Sequence, residues 1–170
     1  MEDGAVPNHV DTRPDNLPLQ LNRFIGRERE VTALRELLVT TRLLTLTGAG
    51  GSGKTRLALQ VATDLSAEFA DGVWWVELAA LSDPLLVPQV VASVVGMPER
   101  AGCTVTEALS EALRPKHVLL VLDNCEHLLA ASVQLIEALL QTCAQVRVLV
   151  TSREALAITG ETTWPVLPLR

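Results

Sequence analysis

Two rhythms of apolar residues alternate along this chain. Short, mostly apolar runs of the kind that suits buried strands stand at Arg42-Leu43-Leu44-Thr45-Leu46-Thr47, Val73-Trp74-Trp75-Val76-Glu77-Leu78, His117-Val118-Leu119-Leu120-Val121-Leu122 and Val146-Arg147-Val148-Leu149-Val150. Between them, apolar positions recur at helical spacing. Val31, Leu34, Leu37 and Leu38 mark a helix over 28–38. Ala58, Val61, Ala62, Leu65 and Phe69 mark one from Lys54 to about Phe69, and Leu128, Leu129, Val133, Ile136, Leu139 and Leu140 mark another. A further helix starts near Pro88 and ends before Gly96. Thr104, with Glu107 three residues on, has capping-box spacing for a helix that stops before Pro115. The stretch 163–167 supplies a fifth strand. Strands separated by helices predict an α/β fold with a parallel sheet covered on both faces. Residues 1–20 carry Pro7, Pro14 and Pro18 among polar neighbours and read as an extended, partly disordered arm ahead of one domain over 21–170.

Composition narrows this picture. With 170 residues and 48% hydrophobic content the chain can bury a core around a sheet. It has three Trp, two Phe and no Tyr, so the core is aliphatic and platforms for stacking nucleic-acid bases are not expected. The formal charge is −6 and the isoelectric point about 5.0. No basic stripe is visible, and direct nucleic-acid binding by this segment is not expected. Cys103, Cys125 and Cys143 lack metal-like spacing and read as buried thiols of a reducing compartment. The start, Met1-Glu2-Asp3, does not resemble a secretory signal, and no apolar run approaches the ~18 residues that span a bilayer. A cytoplasmic protein without membrane contact is the expectation.

The first strand run stops at Gly48-Ala49-Gly50-Gly51-Ser52-Gly53-Lys54-Thr55, a match to G-x-x-x-x-G-K-[ST] placed between a strand and a helix. The chemistry explains the residue types. A triphosphate is held by many converging backbone N–H groups, and glycines let the chain wrap that closely. The loop opens a helix whose unpaired amides and positive dipole end face the anion. Lys54 offers a mobile charge to the β- and γ-phosphates, and the Thr55 hydroxyl is a ligand for Mg²⁺. Lys54 is one of only two lysines in the chain. Arg56 follows the loop directly and is grouped with it.

Asp123, at the end of the third run, resembles a Walker B aspartate that holds the magnesium shell opposite Thr55; an ordinary strand-ending turn residue is the competing reading. Asn124 occupies the position where many ATPases of this class place a second carboxylate. An amide orients water without taking its proton. Glu126 is a candidate base, or else an acidic residue of the following helix's first turn. Thr151-Ser152-Arg153 closes the fourth strand, so Arg153 is a candidate γ-phosphate sensor or a solvated surface arginine. His127 receives no role.

Together, Phe24-Ile25-Gly26-Arg27-Glu28-Arg29-Glu30, the glycine loop with Arg56-Leu57-Ala58, Leu122-Asp123-Asn124-Cys125-Glu126-His127 and Thr151-Ser152-Arg153-Glu154 resemble the nucleotide-binding domain of signal-transduction ATPases. This is the STAND or NB-ARC class, as in large bacterial regulators of the LuxR and antibiotic-regulatory types. The resemblance runs from about residue 17 to 170. It implies a P-loop NTPase three-layer α/β/α sandwich with a mainly parallel five-stranded sheet in the order 5-1-4-3-2. It also implies contact of Phe24, Ile25 and Arg27 with adenine and ribose, Arg153 as sensor, and an ADP/ATP switch acting on other domains and, on activation, on other subunits. Adenine preference rests on the resemblance alone. Relatives continue with a helical domain carrying a Gly-x-Pro motif and a winged helix, so the chain reads as a fragment of a larger protein. A weak, magnesium-dependent ATPase is expected. A binding module without significant hydrolysis and a small-molecule kinase are the alternatives. The single arginine in 154–170 counts against a kinase lid.

Overall fold

The computed structural model describes residues 14–169. The arm expected over 1–20 lies outside the described residues as far as position 13. Helix α1 (Glu28–Thr40) leads into β1 (Leu43–Thr47), α2 (Lys54–Leu65) and β2 (Val73–Glu77). Helices α3 (Val87–Val94) and α4 (Val105–Leu113) follow, then β3 (Leu119–Asp123), α5 (Leu129–Thr142), β4 (Arg147–Ser152) and β5 (Glu161–Pro165). The sheet order is β2-β3-β4-β1-β5, the predicted order read from the opposite edge. Each described strand pair is parallel.

The unbroken apolar runs follow from burial on two sides. Leu44, Leu46, Leu119, Val121 and Leu149 point to the face covered by α1 and α2. Leu43, Leu120, Leu122, Val148 and Val150 point to the face covered by α3, α4 and α5. Neighbouring residues of one strand thus enter different cores, and polar alternation would leave a hole in one of them. Each fully buried aliphatic side chain contributes roughly 1.5–3 kcal/mol.

The amino ends of the strands are tied to helix ends. Arg42, just before β1, donates from Nη1 to Leu140 O at 2.9 Å and from Nη2 to Cys143 O, at the end of α5. Arg147 donates to Leu38 O at 2.6 Å and Thr41 O at 2.8 Å, at the end of α1. Both guanidinium groups therefore satisfy carbonyls that a helix leaves unpaired and sit at its negative dipole end.

Some boundaries depart from expectation. Helix α2 ends at Leu65, and Ser66–Glu68 tightens into a 3-10 turn. There the Thr63 and Ser66 hydroxyls take the carbonyls of Leu59 and Thr63, which loosens the α-helical ladder. Strand β4 runs to Ser152, and β5 ends two residues before the expected Leu167. Val166 N makes a last bond to Thr47 O at 2.7 Å, beyond which Leu167 and Leu169 are exposed. The capping box at Thr104 and Glu107 is present. Cys125 and Cys143 are buried, but Cys103, expected to be buried, is only partly so.

Residues 14–17 lie along the outer edge of β2. Asp15 bridges Val73 in parallel fashion. Asn16 donates to Trp75 O at 2.9 Å and accepts from Trp75 N at 2.6 Å. A strand edge that would otherwise expose its backbone groups is partly paired here.

Candidate functional site

All candidate chemistry gathers at the carboxyl edge of the sheet. Strand β1 delivers residues 48–53 there and α2 leaves from Lys54, its first residue. Gly48 is at φ +155°, and a Cβ on it would come within 2.6 Å of Val166 O, so only glycine lets the loop lie against the end of β5. Ser52 is 3% exposed, and its Oγ has no hydrogen-bond partner. Lys54 is 7% exposed, with Nζ donating to Gly48 O at 2.7 Å and Ala49 O at 2.8 Å. A buried ammonium bonded only to neutral carbonyls, beside an unpartnered hydroxyl, suits an anion entering the nest. Ala49, Gly50 and Gly51 form the exposed rim.

Thr55 and Asp123, 68 positions apart in the chain, meet through a hydrogen bond from Thr55 Oγ1 to Asp123 Oδ1 at 2.9 Å. The Thr151 hydroxyl donates to the same oxygen, and Asn124 Nδ2 donates to Oδ2 at 3.1 Å. Asp123 is fully buried, and burial pushes its carboxyl up to about 6. The Thr151 and Thr55 hydroxyls oppose that rise, and the charge of Glu77 adds to it. Among the described residues no three His, Cys, Asp or Glu side chains cluster as a metal cage. A divalent ion at Thr55 and Asp123 would complete its shell with phosphate oxygens and water, as Mg²⁺ commonly does.

Glu77, the last residue of β2, was not singled out by the sequence. It is paired in register with Asp123, and its Oε1 accepts from Asn124 Nδ2 at 3.1 Å and from Ala79 N at 3.0 Å. The signal that exposed Asp123, a carboxylate closing an apolar run, was present here too. Thr151, fully buried, is the other partner, visible beforehand only as part of the polar close of β4.

Arg153 reaches over the loop: its Nη2 lies 3.4 Å from where a Cβ on Gly50 would stand. Its Nε is 3.8 Å from Glu126 Oε1, and its side chain is 68% exposed. Such a pair contributes roughly 0–1 kcal/mol and is easily exchanged. The second oxygen of Glu126 is buried without a partner. His127 Nε2 bonds Leu81 O at 2.8 Å.

Phe24, Ile25 and Arg27 differ in burial. Phe24 is half-buried against the α1/α2 core, and Ile25 is 68% exposed. Arg27 is 5% exposed; its Nη2 donates to Ser52 O at 2.9 Å and Leu167 O at 2.6 Å, and its Nη1 to Glu30 at 3.1 Å. Its planar fork braces the glycine loop from behind and ties it to the chain beyond β5. Arg56 is exposed and bonds Arg23 O at 3.5 Å.

The chain is similar to known proteins in sequence and in fold. A Mycobacterium tuberculosis protein named as an HTH-type transcriptional regulator is 42% identical over 133 residues, covering 78% of this chain and 15% of that protein. The chain spans no more than 38% of the length of the curated relatives it matches. Among solved structures, the Pyrococcus horikoshii signal transduction ATPase with a tetratricopeptide repeat sensor has a TM-score of 0.58 at 17% identity, covering 95% of this chain and 25% of that one. The Aeropyrum pernix ORC2 protein, solved as ADPNP and ADP complexes, has a TM-score of 0.61 at 15% identity over 84% of this chain and 48% of that one. The AAA ATPase domain family matches residues 23–151, and with the nest, Thr55 and Asp123 in place the chain belongs to that family.

Proposed function

We propose that this chain is the ATP/ADP-binding switch module of a larger regulatory protein, with slow magnesium-dependent hydrolysis. The observation that carries the proposal is the hydrogen bond from Thr55 to Asp123 beside the glycine loop. It brings a hydroxyl and a carboxylate together where a phosphate-bound cation needs both. The backbone amides of 48–55 and the Lys54 ammonium would receive the phosphate chain, with Lys54 leaving the carbonyls of Gly48 and Ala49. Thr55 and Asp123 would hold magnesium, which when bound draws negative charge from the phosphate oxygens. Arg153, exposed and close to Gly50, is suited to sense the terminal phosphate by leaving Glu126.

Slow turnover is supported by Asn124, whose amide cannot act as a base, and by the Arg153 pairing of Glu126. The regulatory role is supported by the relative named as an HTH-type transcriptional regulator, of which this chain spans 15%. Partners on this reading are the nucleotide and neighbouring domains of the parent protein. Among the described residues no helix is long and apolar enough to cross a membrane.

Replacing Lys54 with Ala removes charge-assisted contacts of about 1.5–3 kcal/mol, so ATP affinity should fall roughly 10- to 100-fold. Titration calorimetry in magnesium buffer reads this directly, and equal affinity for the two proteins would sink the assignment of the nest.

A further inference from the structure

The side chain of Asn124 is held from two directions. Its Nδ2 donates to Glu77 Oε1 and to Asp123 Oδ2, both at 3.1 Å. Its backbone N donates to Thr151 Oγ1 at 2.9 Å, and its φ is +62°. Asn tolerates that left-handed conformation better than most residues. With an NH₂ group between two carboxylates, the amide has one admissible orientation, because the flipped form would set three acceptor oxygens against one another. Among the described residues nothing donates to the remaining Asn124 Oδ1. Asp123 is also bound by Thr55 and Thr151; Glu77 accepts from the amide directly and acts on Asp123 through its charge.

We propose that Glu77 is a positioning residue for the hydrolytic water. It acts through Asn124, whose Oδ1 it keeps available as an acceptor at the carboxyl edge of β3. This rests on the reading of the crevice as a nucleotide site. In the step concerned, water adds to the γ-phosphorus and the bond to the β–γ bridging oxygen breaks. ADP leaves, and the proton of the water ends on the phosphate product. The amide orients the water and takes no proton. Glu77 belongs to a different strand from Asp123 and reaches it only because β2 and β3 are in register at their last residues.

The test compares wild type with Glu77→Ala, Glu77→Gln and Asn124→Ala. In nucleotide-free protein, the ¹⁵N-resolved side-chain amide of Asn124 should shift and lose exchange protection in Glu77→Ala. It should stay near its wild-type position in Glu77→Gln, which keeps a carbonyl acceptor. MgATP affinity by calorimetry should stay within about threefold in Glu77→Gln, and in the other variants should fall less than phosphate release does, because the phosphate nest is untouched. Single-turnover phosphate release should fall about 10- to 100-fold in Glu77→Ala and Asn124→Ala, with most of that loss recovered in Glu77→Gln. Wild-type release by Glu77→Ala, or a fall in Glu77→Gln as deep as in Glu77→Ala, overturns the proposal while leaving the nucleotide reading intact. A wild-type protein that binds MgATP but releases no phosphate overturns it as well. A wild type that binds no MgATP overturns the nucleotide reading and this inference with it.

Discussion

Asp123 is placed where its charge is least welcome and most useful. Its carboxyl, pushed up to about 6 from 3.8 mainly by burial, is a group whose folded value exceeds its unfolded one. Such a group costs stability above its folded value, and the cost fades as pH falls through about 6 toward 3.8. In magnesium-free buffer without nucleotide, Asp123→Asn should therefore raise the thermal midpoint at about pH 7.5, with an advantage that shrinks below about 6 and is lost only near 3.8. A lower midpoint for the variant at the higher pH would contradict this account. Magnesium needs the deprotonated form, so magnesium-dependent ATP affinity should weaken below about pH 6, approaching about tenfold per pH unit. The stability sacrificed at this residue is consistent with a site kept for binding.

At the scale of elements, β2 shows how a neighbour sets a strand's tolerance. Gly72 precedes it at φ +106°, and a Cβ there would come within 2.2 Å of Pro14 O. Gly72→Ala should lift residues 14–17 off the edge and add backbone strain of about 1–3 kcal/mol. Native-state hydrogen exchange is the measurement: the Trp75 amide, bonded to Asn16 at 2.6 Å, should lose protection while amides of β1 keep theirs. Unchanged protection at Trp75 would remove the arm from any role in closing this edge. Strand identities were legible because unbroken apolar runs need two covered faces. Strand ends were less so: β5 was placed two residues late because Val166 and Leu167 look alike in sequence and differ only in burial.

On the scale of the whole molecule, chemistry and anchorage occupy opposite edges of one sheet. The carboxyl ends carry the nest, Thr55, Asp123 and Glu77. The amino ends carry Arg42 and Arg147, clamped to the ends of α5 and α1. Burial and the nearby Arg42 charge hold the Arg147 guanidinium below its usual range. Arg42→Ala or Arg147→Ala should each cost about 1–2 kcal/mol in denaturant unfolding, with ATP affinity unchanged. Affinity falling in step with stability would show that the two edges are not separable.

The glycine loop, its lysine, the carboxylate closing β3 and the capping box at Thr104 could be read from the chain alone. Each depends on residues within a few positions of one another, where spacing and backbone geometry are local properties. Other contacts came only with the folded arrangement: Glu77 to Asn124 across 47 positions, Asn16 to Trp75 across 59 and Arg27 to Leu167 across 140. These depend on which strands are neighbours and at what register, and hydrophobic periodicity says how an element is buried without saying what lies beside it. Arg27 illustrates the difference: its place in the motif was plain, but a buried guanidinium takes whichever carbonyls the fold brings within reach.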